Sequence, residues 1–155
     1  MADYRFLTTW LVDAPVDAVY SVLDDSASWP EWWKGVRRAE LLEEGGADGV
    51  GRLWRYEWRS RLPYSLVFDA RVTRAERPWI LEARVAGELE GVGRWRLYES
   101  PEGTAVVYEW AVSTTRTWMN RIAPLARPVF AWNHDVVMAQ GGVGISRRLA
   151  RATSA

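Results

Sequence analysis

The segment GRLWRYEWRS, residues 51–60, sets Trp54, Tyr56 and Trp58 on one side of an extended chain and Arg55, Glu57 and Arg59 on the other. A period of two is that of a β-strand with one dry and one wet face. A solid core ordinarily fills its dry face with Val, Ile and Leu, which interlock without polar atoms that need partners. Three large amphipathic rings in a row instead fit the wall of a hollow. The opposite register would bury Arg55, Glu57 and Arg59 at prohibitive desolvation cost, so the rings are expected to point inward.

The same period extends on both sides of this segment. Turn signals stand at GGADGVG (45–51), SRLPY (60–64), ERP (76–78), GELEGVG (87–93) and SPEG (100–103), and between them lie strands at about 36–44, 51–60, 64–75, 79–87, 92–99 and 104–115. YRFLTTWLVD, from Tyr4 to Asp13, adds a first strand, making seven. Their short connections predict an antiparallel, strongly curved sheet. Aromatic and aliphatic residues recur on alternate positions at Tyr64, Leu66 and Phe68, at Trp95 and Leu97, and at Tyr108, Trp110 and Val112, sharing a face with Trp54, Tyr56 and Trp58.

Two stretches break to a period near 3.6. After Pro15, the residues Val16, Val19, Tyr20 and Leu23 recur at i, i+3, i+4, i+7, and SASWPEWWKG then gives a second short helix, with Ser28 and Glu31 at capping-box spacing and Gly35 as a stop. Near the other end, residues 127–149 place Val129, Phe130, Val136, Val137, Val143 and Gly144 on one broad face, predicting a long final helix beyond the interruptions at Pro124 and Pro128. The expected fold class is α+β: a curved seven-stranded antiparallel sheet around a long C-terminal helix, with two short helices after the first strand. Residues 1–150 form one domain in this reading and 151–155 a short tail.

Composition narrows the function classes. Net charge is zero, with 20 basic and 20 acidic residues interleaved, so no single-sign field draws nucleic acid or an anionic membrane. Absence of cysteine removes thiol chemistry and any sign of an oxidising compartment. The opening MADYRFLTTW lacks the basic flank and apolar run of a signal peptide, which points to the cytoplasm. No cofactor or metal is expected, and the oligomeric state is open. The unusual number is eleven Trp, with six Tyr and three Phe.

DAPVDAVYSVLDDSASWPEWWKGV (13–36), the β-rich middle and PVFAWNHDVVMAQGGVGISRRL (128–149) together resemble the START-like, or SRPBCC, superfamily, in particular its bacterial polyketide cyclase/dehydrase and lipid-transport branch. The resemblance implies a helix-grip domain whose cavity holds apolar or amphipathic small molecules. Some members cyclise or dehydrate polyketides and many only bind. It brings no universal catalytic motif, so no catalytic residue is transferred.

The remaining chemistry is sparse. His134 is the single histidine, and the wheel turns it about 90° from the centre of the dry face formed by Val129, Phe130, Val136, Val137, Val143 and Gly144, beside Asp135, in a surface or packing role. Asn133 and Gln140 fall on that dry face, satisfied either by sheet backbone or by a ligand. The GGVG at 141–144 lies inside a helical pattern, so its glycines are read as close-approach points rather than a phosphate loop. Glu57 and Glu109 are read as facing outward in cross-strand ion pairs among Arg55, Arg59 and neighbouring strands, and Arg94 and Arg96 as solvated. The candidate ligand-binding set is Trp54, Tyr56, Trp58, Tyr64, Phe68, Trp95, Tyr108, Trp110, Trp118, Trp132, Asn133 and Gln140. The expected function is binding of an apolar or aromatic small molecule, lipid or polyketide-like. A cyclase or dehydratase and a protein-interaction module are the alternatives.

Overall fold

In the computed structural model, which describes residues 2–154, the chain runs β1 (Ala2–Val12), α1 (Val16–Asp24), a 3-10 turn (Ser26–Ser28), α2 (Trp29–Trp32), β2 (Val36–Glu43), β3 (Leu53–Trp58), β4 (Leu66–Glu76), β5 (Ile80–Gly87), β6 (Leu89–Ser100), β7 (Gly103–Thr114) and α3 (Thr117–Ser154). The seven strands form one antiparallel sheet in the order β1-β7-β6-β5-β4-β3-β2. Every neighbour pair from β2 to β7 is a hairpin. β1 pairs instead with the last strand, so α1 and α2 carry the chain from one sheet edge to the other.

The alternation read in residues 51–60 is present: Trp54 and Tyr56 are buried, Arg55 is exposed and Trp58 is half-buried. Phe68 stands opposite Tyr56, and Tyr108 opposite Trp95, so the rings stack across strands on one face. On the other face Glu109 forms the cross-strand ion pairs expected of it, Arg94 and Arg96 are paired rather than simply solvated, and Glu57 has no ion pair among the described residues. Arg55 forks onto Asp69 at 2.8 and 3.0 Å, and Arg94 meets Glu82 at 2.6 Å and Glu109 at 3.4 Å. Arg96 also reaches Glu109, at 3.3 Å.

Three local expectations are corrected. The final helix begins at Thr117 rather than near 127, and it continues to Ser154. Pro124 and Pro128 lie within it, both exposed, and proline's fixed φ suits a helix at the loss of one backbone N–H each. The 87–93 turn shrinks to a bend at Glu88, and Gly91 and Gly93 lie within β6. A Cβ on Gly93 would stand 2.5 Å from the Tyr108 hydroxyl, so the strand glycine makes room for a ring. The capping box is not formed: the Ser28 hydroxyl donates to the Asp25 carbonyl at 2.8 Å, while Glu31 faces Arg148 at 3.5 Å.

Part of α3 is seated unusually deeply. The indole N–H groups of Trp10 and Trp33 donate to successive α3 carbonyls, those of Met138 at 3.0 Å and Val137 at 2.8 Å. A Cβ on Gly141 would stand 2.5 Å from the Trp33 ring, and one on Gly144 would stand 1.9 Å from the Trp32 carbonyl oxygen. Close approach is thus the role of the 141–144 glycines, as their helical setting implied. Among the described residues, no helix is long and apolar enough to cross a membrane.

Candidate functional site

Between the concave face of the sheet and α3 lies a cavity of about 190 Å³. Its sheet wall is made by residues of β1 and β3 to β7, with Trp29 and Trp33 closing one side and Phe130, Asn133, His134, Val137 and Met138 of α3 forming the roof. The rings brace one another. Trp29 lies parallel to Tyr56 at 5.1 Å, Trp33 stands edge-on to Trp58 at 4.9 Å, and Trp95 tilts against Tyr108 at 4.0 Å. Such packing fixes the ring positions at little entropic cost to a bound molecule.

Of the residues singled out from sequence, Trp54, Tyr56, Trp58, Tyr64, Phe68, Trp95, Tyr108, Trp110 and Asn133 line this cavity. Three do not. Trp118 stands edge-on to Tyr64 at 5.1 Å but is 43% exposed, and Trp132 is 50% exposed on the outer side of α3. Gln140 lies in a separate groove between α2 and α3, with Lys34 and Arg147. Gln140 followed from centring the helical wheel on the face of Val129, Phe130, Val136, Val137, Val143 and Gly144, and Trp118 and Trp132 from their aromatic character alone, whereas the face that meets the sheet runs through Phe130, His134, Met138, Gly141, Ile145 and Leu149. The same error put His134 on the solvent side.

His134 lies instead in the cavity roof, stacked on Phe6 with ring centroids 4.1 Å apart and 17° between planes. Its Nδ1 is buried without a partner in the protein. Desolvation by burial lowers its pKa to about 4, against a smaller opposing pull from Asp135, so the ring is neutral near pH 7. Asn133 also lines the cavity, and its Oδ1 accepts from the backbone N–H of Arg61 at 3.3 Å. That bond ties α3 to the β3–β4 connection.

The wall is otherwise almost free of charge. Asp24 is the one carboxylate among the lining residues, 3.8 Å from Arg52. Ser26 and Tyr56 share a buried hydrogen bond at 2.7 Å between hydroxyls, and burial pushes the Tyr56 phenol well above its ordinary range. Burial likewise raises Tyr108, and pushes Tyr64 up to about 12. Besides His134 Nδ1, three lining atoms are buried without a protein partner: the hydroxyl of Tyr4 and the indole nitrogens of Trp29 and Trp58. Trp29, Trp33, Phe6 and Tyr4 were not anticipated in this wall. The sequence signal existed for the last two, which alternate with Thr8 and Trp10 along β1. Among the described residues, no cluster of three or more His, Asp or Glu is placed to hold a metal ion.

Residues 12–135 match a family model described as polyketide cyclase / dehydrase and lipid transport. No curated protein matches the sequence significantly. The fold is similar to that of the Zhui aromatase/cyclase from Streptomyces sp. R1128, with a TM-score of 0.76 and 17% identity, covering 98% of this chain and 95% of that one. It is similar to a START superfamily protein from Mycobacterium smegmatis, with a TM-score of 0.74 and 14% identity over 97% and 98%. A third likeness is to the di-domain ARO/CYC StfQ from the steffimycin biosynthetic pathway, with a TM-score of 0.69 and 15% identity. It covers 96% of this chain but 52% of that one, so this chain spans about half of the di-domain protein. At these identities the likeness is one of fold.

Proposed function

The chain belongs to the polyketide cyclase / dehydrase and lipid transport family, and from that premise we propose that it binds an apolar, ring-bearing small molecule, lipid-like or polyketide-like, between the sheet and α3. The observation that carries this reading is a cavity walled by rings and aliphatic side chains, with four unpartnered polar atoms contributed by Tyr4, Trp29, Trp58 and His134. Apolar ligand sites combine these two features, since burial of rings supplies affinity and a few fixed polar groups supply orientation. The indole donors suit a ligand carbonyl or phenol oxygen. The neutral His134 can accept a ligand hydroxyl proton in a hydrogen bond or donate its own N–H, depending on tautomer. A bacterial, cytoplasmic setting goes with this proposal, its bacterial part supported by the Streptomyces and Mycobacterium smegmatis sources of the similar structures.

Turnover of such a ligand by cyclisation or dehydration is the second reading, favoured by the same His134, a neutral imidazole facing an apolar cavity. Binding ranks first because Asp24 is the one charged lining group and it is engaged with Arg52. Titration with 1,8-dihydroxyanthraquinone, followed by quenching of tryptophan fluorescence, tests the binding reading. Saturable quenching with one site per chain is expected, with apolar molecules retained in native mass spectra of the purified protein. Absence of saturable quenching by this or smaller phenols would end the reading. Loss of the hydroxyl or carbonyl of a bound ligand on incubation would move the enzyme ahead.

A further inference from the structure

The outer face of α3 is as ordered in sequence as its inner face. Trp118, Ile122, Leu125, Val129, Trp132, Val136 and Ala139 follow steps of four, three, four, three, four and three residues. That is the alternation of a two-helix seam. At about 100° per residue, the stripe lies opposite the face formed by Phe130, His134, Met138 and Ile145. It faces solvent: Leu125 is 88% exposed, Trp132 half so, and Trp118, Ile122 and Val129 are exposed as well. The seam extends for roughly 30 Å at the rise of an α-helix. An apolar stripe of that length on a net-neutral surface marks an interface.

The geometry points to a second copy of this chain as the occupant, paired antiparallel through α3 about a two-fold axis beside Val129. In that register, Val129 meets its own mate, Leu125 meets Trp132, Ile122 meets Val136, and the bulky Trp118 meets the small Ala139. Every layer is filled from both sides by residues of one sequence, as an isologous interface requires. The flanks agree with the core. Arg121 comes beside Asp135 of the partner copy twice over, once on each side of the axis. Both residues are exposed, and neither has an ion pair among the described residues of its own chain. Asp135 is also the one acidic residue of α3, against five arginines. An anionic lipid surface would repel it at the seam's edge. Arg147, Arg148 and Arg151 fall beyond the overlap, since residue 143 already lies past the start of the facing helix.

The inference is independent of the cavity and its ligand. Sedimentation velocity over a wide concentration range should show a species of twice the chain mass. Val129→Glu should weaken its association at least tenfold while leaving cavity binding of 1,8-dihydroxyanthraquinone intact. Arg121→Asp and Asp135→Arg should each weaken the dimer severalfold, and the two together should restore it, which general stickiness of an apolar patch cannot do. The chain has no cysteine, so Val129→Cys should form a symmetric disulfide on mild oxidation. Val143→Cys, ~40 Å from its mate in this register, should not. A monomer at all concentrations overturns the proposal. So does a dimer that survives Val129→Glu, or a crosslink at Val143 in place of Val129. Monomeric protein that binds vesicles of phosphatidylglycerol through Leu125 and Trp132 assigns the stripe to a lipid surface and overturns it too.

Discussion

The imidazole of His134 lies nearly parallel to the ring of Phe6, with 4.1 Å between centroids. The contact joins the first strand of the sheet to the middle of the last helix across 128 positions of sequence, and it buries a titratable ring. Its pKa falls from 6.5 to about 4 because charging it there forfeits hydration. Above pH 6.5 the ring is neutral in the folded and unfolded chain, so it adds no pH dependence. Between 6.5 and 4 the unfolded chain takes up a proton that the folded chain refuses, and stability declines as pH falls through that window. The decline attributable to His134 should be on the order of 1–3 kcal/mol. Urea unfolding at pH 7, 5.5 and 4 should show it in the wild type and lack it in His134→Phe, which keeps the stacking. Equal slopes in both proteins would sink the assignment.

The helix phase reverses the roles first expected of Asn133 and His134. Asn133 Oδ1 is already satisfied by the Arg61 N–H, whereas His134 lines the cavity with its Nδ1 buried and without a protein partner. His134→Leu should therefore lower affinity for a phenolic ligand by an amount equivalent to one hydrogen bond, roughly 0.5–1.5 kcal/mol. Asn133→Leu should act mainly on stability, by freeing the β3–β4 connection. Calorimetric titration of 4-ethylphenol into each variant separates them. A larger affinity loss for Asn133→Leu, at unchanged stability, would refute this ordering.

Cavity size makes a kinetic prediction. A dry cavity of about 150 Å³ holds a single benzene ring, so 190 Å³ holds little more, below the roughly 300–1,000 Å³ of common ligand pockets. 4-Ethylphenol should enter a cavity of this size in one step, with an observed rate that rises linearly with concentration. 1,8-Dihydroxyanthraquinone should show a rate that saturates, because the domain must widen first. Stopped-flow tryptophan fluorescence reads both. Linear kinetics for the three-ring compound would show that the volume of this cavity does not limit entry.

Gly144 tests the seating of α3. Its Cβ would fall 1.9 Å from a backbone oxygen, that of Trp32, which cannot yield without moving α2. A Cβ on Gly142 meets the Trp10 ring at 3.0 Å, a contact that asks the side chain to give by only a few tenths of an ångström. Gly144→Ala should lose roughly 1–3 kcal/mol or more by overpacking, despite alanine's better helix propensity. Gly142→Ala should lose clearly less. Thermal unfolding of the two variants side by side is sufficient, and the reverse order would contradict the close approach.

Ser26 and Tyr56 form a closed pair inside the wall. Removing either hydroxyl strands the other, so Ser26→Ala and Tyr56→Phe should each cost about 1–3 kcal/mol. The double variant should cost less than the sum of the two, as a double-mutant cycle would show. Strict additivity would mean that the hydroxyls do not depend on each other.

Local physics accounts for what was legible in sequence. The inward set of Trp54, Tyr56 and Trp58 follows from the period of two and from the desolvation cost of the alternative register, and neither depends on distant residues. The antiparallel order follows from short turns, and the glycines at 141–144 were legible as close-approach points because they interrupt a helical pattern. The phase of α3 was not legible. Apolar residues occur on two opposite sides of this helix, one through Phe130, Met138 and Ile145 and the other through Ile122, Val129 and Trp132. A wheel cannot say which of two apolar stripes meets the sheet. The tertiary structure decided it, because Trp10 and Trp33 can reach the carbonyls of Met138 and Val137 only where Gly141 and Gly144 leave room. That seating turns His134 inward, and its buried, unpartnered Nδ1 is the consequence.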